Sequence, residues 1–413
     1  MEKEKESKKE SGAGDLQLME RALELAARGR GTTSPNPMVG CVITDSEGAV
    51  VGEGWHEKAG QAHAEVRALE DLASRGKTGH TAYVTLEPCS HFGRTGPCCE
   101  APIRAGLKRV VVAMTDPNPL VAGRGVRRME EAGIEVETGL CGSEAARLNE
   151  KFLTWSTKRR PFISLKYAMT LDGKIATAAR DSHFVTGPEA HRFSHGLRVE
   201  HDAILVGIGT ILDDDSQLTA RLAEGPNPLR IVLDSRGRIP LEAAVLKDDA
   251  DTLLVTGEDV APEKLAALER LPRVEVLRLP LAEGRIPLDR LMEELAERQV
   301  ASVLVEGGSR VLGSFLDSGL ADRVYAFIAP KLVGGEKALP AVGGRGIGRM
   351  ADCAMVEKPE FIPLGRDLLW TGRVVFNKKE TVTEEKPSRN DSSGGEAAAE
   401  DGKERKDGPC LQD

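Results

Sequence analysis

Aromatic residues make up only 4% of the 413-residue chain, so its interior must be built from aliphatic side chains. No apolar run approaches the ~20 residues that span a bilayer; Val110–Met114 is typical of the longest. The opening MEKEKESKKE lacks the apolar stretch of a secretory signal. An excess of positive charge is missing too: 56 Lys and Arg against 65 Asp and Glu give a net −9, the wrong sign for a protein that spreads over nucleic-acid phosphates. The charged ends do not mask a basic centre. Residues 1–14 hold four Lys and four Glu, and residues 377–413 hold seven basic and ten acidic groups, leaving about −6 between them. Seven cysteines, an odd number, suit a reducing, cytoplasmic setting in which some thiols serve a metal or catalysis.

What is present is the composition of an α/β protein, with 40% hydrophobic and 29% charged residues and 44 glycines. The length exceeds what one core organises and predicts two domains. The ends, 1–14 and 377–413, are too charged to bury apolar surface and are expected to be disordered tails. From Asp15 to about residue 150, helix and strand patterns alternate. Met19, Ala22, Leu23 and Ala26 form one helical stripe, ended by Gly29. Strands are predicted at Val39–Thr44, Ala49–Glu53, Thr81–Leu86, Arg109–Met114 and Ile134–Thr138. Helices are predicted at His63–Ser74, after Pro97 and at Gly123–Ala132, which makes a three-layer α/β domain. Residues 151–160, ending in the basic run before Pro161, read as a linker. A second α/β series fills 161–376, with seven expected strands beginning at Ile163–Ala168 and ending at Leu369–Phe376, and helices near 189–200, 263–271, 288–298 and 310–318.

His63-Ala64-Glu65, then Pro88-Cys89, eight residues and Cys98 offer one imidazole and two thiols. A catalytic zinc takes three protein ligands and keeps a fourth position for water, whose pKa it lowers to ~7. Glu65, two residues beyond His63 at a helix start, can face that position and shuttle a proton. Zinc nucleobase deaminases carry such an H-x-E followed by P-C-x-x-C; here the spacer between the cysteines is longer. Taken singly, the histidine could be a core residue and the thiols buried or part of a closed structural site. His91 and Arg94 lie on the inter-cysteine loop, where they could meet a substrate phosphate or base edge or be ordinary loop polarity.

The stretch Thr85–Cys99 and the segment Ser34-Pro35-Asn36-Pro37-Met38-Val39-Gly40 resemble the bifunctional riboflavin-pathway deaminase-reductase family. Gly96 departs from the family's usual proline without removing a ligand. The resemblance favours Cys98 over its neighbour Cys99 as the second thiolate. It also makes Asn36, which could otherwise merely shape a Pro-Asn-Pro turn, a contact of the pyrimidine nucleotide.

In the second half, Glu306-Gly307-Gly308-Ser309-Arg310-Val311-Leu312-Gly313-Ser314 runs from a strand end through a glycine turn into a helix whose first amides can cradle a phosphate. This is no Rossmann fingerprint and by itself is a weak signal. Leu165–Ala176 and Asp202–Thr210 look like the reductase half of the same family, implying a dihydrofolate-reductase-like fold that uses NADPH. The resemblance carries over Ala168, Phe184, Thr210, Asp214 and Gly308, Ser309, Arg310, Val311, Leu312, Gly313 and Ser314 as cofactor contacts. It carries over Ser182, Arg198, Leu218, Arg221 and Glu306 as substrate contacts. Phe184 stands where some relatives have tryptophan, and Ser216 where Asp-Asp-Pro is usual. Arg198 could otherwise be a helix-surface charge, and Lys166 a substrate contact or a solvated edge lysine.

The implied activity is hydrolytic, zinc-dependent deamination of 2,5-diamino-6-ribosylamino-4(3H)-pyrimidinone 5′-phosphate, then NADPH-dependent reduction of the ribose of 5-amino-6-(5-phosphoribosylamino)uracil. It requires one Zn2+ per chain, a small-molecule partner, and neither nucleic acid nor membrane; a homo-oligomer is left open. Two rivals make different demands. A polynucleotide base deaminase should present basic or aromatic surfaces, and a structural zinc module with an inert second domain needs a fourth ligand such as Cys99.

Overall fold

The computed structural model describes residues 2–90, 97–117 and 122–377, with backbone alone over 2–13. Helix α1 (Glu2–Ala27) is followed by β1 (Gly40–Thr44), β2 (Val50–Trp55), α2 (Ala64–Ser74), β3 (Thr81–Val84), α3 (Glu100–Arg104), β4 (Arg109–Val112), α4 (Arg124–Glu131) and β5 (Glu135–Thr138). The strands form one sheet, β2-β1-β3-β4-β5, antiparallel at β2-β1-β3 and parallel from β3 to β5. Strand alternation sends successive side chains to opposite faces. Cys41 and Ile43 join Ala64, Ala68, Leu72 and Met129 on the α2 side. Val42 joins Tyr83, Val111 and α1 residues Met19, Ala22 and Leu25 on the other, giving the three expected layers. Leu25, outside the predicted stripe, is fully buried, whereas Leu23 is half-buried.

The seat of α2 is set by glycine. A Cβ on Gly54 would stand 2.4 Å from the Ala68 nitrogen and 2.7 Å from the Ala64 oxygen, so a bare β2 backbone lets the helix lie directly against the sheet. That contact places the helix start, with His63 as its N-cap.

Two segments depart from expectation. Residues 2–14, expected as a disordered tail, continue α1 toward the N-terminus; their Glu and Lys are good helix formers. Residues 151–160, expected as a linker, are mostly helix. After α5 (Gly142–Leu148), helix α6 (Glu150–Lys158) half-buries Phe152, Leu153 and Trp155, apolar residues that a solvated linker would leave exposed. Apart from Asn377, the segment 377–413 lies outside the described residues.

The second sheet collects β6 (Phe162–Thr170), β8 (Ala203–Gly207), β9 (Leu229–Leu233), β10 (Thr252–Thr256), β11 (Val274–Arg278), β12 (Ser302–Glu306), β13 (Arg323–Ala329), β15 (Met355–Leu364) and β16 (Asp367–Val375). The short strands β7 (Lys174–Ala176) and β14 (Leu339–Pro340) pair separately. Its helices are α7 (Pro188–Glu200), α8 (Ile208–Asp214), α9 (Pro262–Glu269), α10 (Leu288–Glu297) and α11 (Ser309–Asp317). The order is β11-β10-β9-β8-β12-β6-β13-β16-β15, parallel from β11 to β13, with the β15-β16 hairpin antiparallel at one edge. As the aromatic poverty requires, Ile, Leu and Val fill both faces: Ile163, Leu205, Ile231 and Val303 against α10 and α11, Ile204, Val206, Val232 and Leu254 against α8 and α9. Each such side chain contributes about 1.5–3 kcal/mol on burial.

From β6 the chain steps past one position to β8, walks outward through β9 to β11, then returns to set β12 between β8 and β6. Such a reversal opens a crevice at the carboxyl ends of the strands. Lys166 of β6 and Glu306 of β12 are register partners there, beside Gly207 at the end of β8. Among the described residues no helix is long and apolar enough to cross a membrane.

Candidate active sites

His63 caps α2 while Cys89 and Cys98 come from the segment between β3 and α3, and their ligand atoms all lie within 4.8 Å of one another. His63 Nδ1 is 2.9 Å from Cys98 Sγ and 3.9 Å from Cys89 Sγ, and the Cys98 amide donates to Cys89 Sγ at 3.3 Å. One imidazole and two thiolates converging from two backbone segments are a donor set that fits zinc with one position open. The thiols differ: the hydrogen bond from Cys98 lowers Cys89 to about 4, and the same bond together with burial pushes Cys98 up. Cys99 is not in the cluster. It is buried with Leu107, Val110 and Met129 in the sheet core, so among the described residues Cys99 does not supply the fourth ligand of a closed structural site.

Glu65 is 4% exposed at the first turn of α2, and burial raises its carboxyl to about 7. His56, absent from the sequence reading, stacks edge-on against His63 with ring centroids 5.2 Å apart. Burial shifts its pKa below the ordinary histidine value. With its Nδ1 proton given to the Ala62 carbonyl at 3.2 Å, its Nε2 accepts from Asn36 Nδ2 at 3.1 Å. Asn36 is thereby held beside the metal cluster. Glu87 was missed as well: its buried carboxylate accepts from the backbone amides of Asp116, Gly123, Gly125 and Val126 at 2.8–3.3 Å, anchoring the start of α4 one residue before Pro88-Cys89. A lone histidine and one glutamate in a loop carry no spacing that would reveal them. His91 and Arg94 lie outside the described residues.

In the second crevice Arg198, at the end of α7, donates from Nε and Nη2 to the two oxygens of Glu306 at 3.0 and 3.1 Å, and from Nη1 to the Thr219 carbonyl at 2.8 Å. Lys166 Nζ reaches the same carboxylate at 3.3 Å. Burial alone would raise Glu306, but Arg198 and Lys166 outweigh it and hold the carboxyl well below the usual range. Arg198 is thus no helix-surface charge, and Lys166 no solvated edge lysine. Leu218, buried with φ 61°, turns the chain just before Thr219. Arg221 is exposed beside His195, which burial, Arg198 and Arg221 together lower to about 4.

The expected cofactor residues fall on the neighbouring loops. Gly307 and Gly308 both have left-handed φ, 75° and 80°, and a Cβ on Gly307 would lie 2.8 Å from Thr210 Oγ1, which packs Thr210 against the turn. Ser309, Arg310 and Val311 follow at the start of α11; Leu312 and Gly313 are buried in packing, and Ser314 bonds back to the Arg310 carbonyl at 3.0 Å. Ser182 Oγ donates to Asp214 Oδ1 at 2.9 Å, joining one expected substrate residue to one expected cofactor residue. Ala168 is half-buried on β6. Phe184 is 78% exposed with φ 55°, its carbonyl taken by Lys331, at the rim of a cavity of about 730 Å³ also lined by Thr186, His191, Leu222 and Asp367. A left-handed glycine turn at the start of α11, beside a crevice that brings together Lys166, Arg198 and Glu306, fits a dinucleotide cofactor.

Residues 13–114 match the model of the cytidine and deoxycytidylate deaminase zinc-binding region, and residues 161–360 that of the RibD C-terminal domain. Riboflavin biosynthesis protein RibD of Aquifex aeolicus is 45% identical over 368 residues, 88% of this chain and 98% of its own length. That of Escherichia coli is 42% identical over 372 residues, covering 86% and 98%. Among solved structures, the Thermotoga maritima diaminohydroxyphosphoribosylaminopyrimidine deaminase/5-amino-6-(5-phosphoribosylamino)uracil reductase is 37% identical with a TM-score of 0.76, over 88% of this chain and 99% of that one. Acinetobacter baumannii RibD, at 38% identity and the same coverage, superposes with a TM-score of 0.77. With one deaminase-type metal cluster and one reductase-type crevice in a single chain, matched over nearly the full length of these relatives, the protein belongs to the RibD family of riboflavin biosynthesis proteins.

Proposed function

We propose that the chain carries out two consecutive reactions: hydrolytic loss of the exocyclic amine of 2,5-diamino-6-ribosylamino-4(3H)-pyrimidinone 5′-phosphate, then reduction of the ribose of the resulting 5-amino-6-(5-phosphoribosylamino)uracil to a ribityl chain. The observation that carries this reading is the pairing, in one chain, of the His63/Cys89/Cys98 cluster faced by buried Glu65 with the Arg198–Glu306–Lys166 crevice beside the Gly307-Gly308 turn.

Zinc held by His63, Cys89 and Cys98 supplies Lewis acidity that makes water nucleophilic at neutral pH. Glu65 takes a proton of the attacking water on its carboxylate and delivers it to the departing nitrogen, so that the water oxygen stays on the ring carbon as the carbonyl oxygen, its other proton ends on the adjacent ring nitrogen, and the amine leaves as ammonia. Asn36, oriented by His56, holds the pyrimidine edge, with His91 and Arg94 as further substrate contacts.

In the second crevice NADPH supplies the hydride for C1′ of the ribose. Ala168, Phe184, Thr210, Asp214 and the run Gly308–Ser314 hold the dinucleotide. Ser182, Arg221 and the Leu218 backbone hold the sugar phosphate, while Arg198 and Lys166 keep Glu306 ionised and aimed at the sugar. The partner is thus a small nucleotide in the cytoplasm. Ammonia release and NADPH oxidation, followed side by side on the diaminopyrimidine nucleotide, test the reading; NADPH-independent ammonia release followed by NADPH oxidation is expected, and neither signal would refute it.

A further inference from the structure

Between the two sheets lies a cavity of about 580 Å³, walled by Ser34 and Asn36 from one side, Glu200 and Arg323 from the other, and by Asn149 and Lys151 from the connecting helices. Asn149 stands at the junction of α5 and α6, its backbone closing one helix (amide to the Ala145 carbonyl, 3.1 Å) and opening the next (carbonyl to the Leu153 amide, 2.9 Å). The residue is 2% exposed, and its side chain bonds one distant residue. Oδ1 accepts from the Met38 amide at 2.8 Å and Nδ2 donates to the Met38 carbonyl at 2.9 Å, across 111 positions of sequence. A carboxamide used this way replaces the missing strand partner of a loop. Met38 lies two residues beyond Asn36, and the next residue, Val39, accepts from the His56 amide at 2.9 Å. The Pro-Asn-Pro loop is therefore clamped between Asn149 on one side and His56 on the other.

The two residues after Asn149 face the opposite way. Glu150 makes a two-pronged ion pair with Arg323 of β13 at 2.7 and 3.0 Å, and Lys151 Nζ donates to the carbonyl of Glu200 at the end of α7. Arg30, on the loop leading to Asn36, reaches the Glu200 carboxylate at 3.3 Å. Three consecutive residues thus bind one substrate loop and the neighbouring sheet together.

We infer that Asn149 is a positioning residue for deamination: it holds the Met38 backbone so that Asn36 meets the pyrimidine, and it is itself held by the Glu150–Arg323 and Lys151–Glu200 contacts with the second sheet. This rests on the reading of Asn36 as a substrate contact. Loss of the clamp frees the loop without touching the metal cluster, so the deficit falls on substrate capture.

In the full-length zinc enzyme, Asn149→Ala is expected to raise the KM for deamination about tenfold, the scale of two net hydrogen bonds, with zinc content and NADPH oxidation of pre-deaminated substrate unchanged. Amide hydrogen exchange should rise in the peptide holding residues 36–39. Because Asn149 acts through Asn36, the Asn36→Ala/Asn149→Ala double variant should deaminate no worse than Asn36→Ala alone. If Asn149→Ala fails to fold, Asn149→Asp carries the test, since it keeps the acceptor but sets an oxygen against the Met38 carbonyl; a raised KM is again expected. A wild-type KM in a folded Asn149 variant, or losses that simply add in the double, would overturn the inference. Full activity in Asn36→Ala would instead overturn the substrate role of Asn36.

Discussion

Arg198 lays two nitrogens of its guanidinium along the two carboxylate oxygens of Glu306, 3.0 and 3.1 Å apart, while its third nitrogen is taken by Thr219. Side chains so buried do not share a fork idly. The pair is neutral as a whole and holds Glu306 ionised in the crevice at the switch between β8 and β12, and Lys166 makes it a triad with net charge +1.

Breaking that triad should damage reduction and leave deamination intact. Arg198→Ala abandons a buried carboxylate to Lys166 alone, which costs about 3–5 kcal/mol of stability, and reductase kcat/KM should fall on the order of tenfold to a hundredfold. Glu306→Gln keeps the shape but leaves Arg198 and Lys166 as two buried cations without a counter-charge, so it should lower both reduction and Tm. NADPH oxidation and ammonia release on the same preparations check both. A variant that loses ammonia release while oxidising NADPH normally would reverse the assignment of the two crevices.

Cys89→Ser and Cys98→Ser should each lower zinc content and deamination together, because a hydroxyl is a poor replacement for a thiolate ligand. Metal analysis on the purified protein should find about one zinc per chain in the wild type, consistent with one tetrahedral donor set. Full occupancy in both variants would remove these cysteines from the ligand set.

Glu65→Gln should keep its zinc and lose deamination by roughly 10²–10⁴-fold, the usual contribution of a positioned acid-base group. The amide fills the same volume but cannot take up the proton. Reduction of substrate that is already deaminated should be unaffected, and near-normal ammonia release would require another proton carrier.

Acid should destabilise the second half before its carboxylates titrate. Burial, with Arg198 and Arg221 adding to it, lowers His195 from 6.5 to about 4, and burial also holds His201 well below 6.5. As pH falls through the window from 6.5 to 4, the unfolded chain takes up protons that the folded chain refuses, so stability drops. Glu306 acts in the same direction over a lower window: its lowered pKa adds stability at neutral pH, and that part is lost only as pH falls below the ordinary carboxylate range. Tm measured between pH 7 and 4.5 should decline, and His195→Gln should flatten the decline. A flat wild-type profile would contradict the buried neutral histidines.

Sequence made the metal site legible because its donors are rare residue types at telling intervals, and the two layers of helix around each sheet because Ile, Val and Leu alternate in runs. The edge strands β11 and β15 were not foreseen. The first is the short, half-exposed Val274–Arg278, and the second carries Pro359 and Pro363, which an edge strand tolerates and a central one does not. Helix α6 hid behind its basic end, since Lys158, Arg159 and Arg160 suggested a linker while Asp322 binds Lys158 and Arg160. His56, Glu87 and Asn149 carry no local signal at all. Each acts on backbone or side chains far away in sequence, and only the fold brings them into reach.

One chain holds two chemistries in order. Incubation of the purified zinc protein with the diaminopyrimidine nucleotide, with and without NADPH, followed by mass spectrometry, tests it most directly. The deaminated nucleotide is expected in both samples and the two-electron-reduced, ribityl product only where NADPH is present. Unchanged substrate in both samples, or a reduced product that still carries the exocyclic amine, would contradict it.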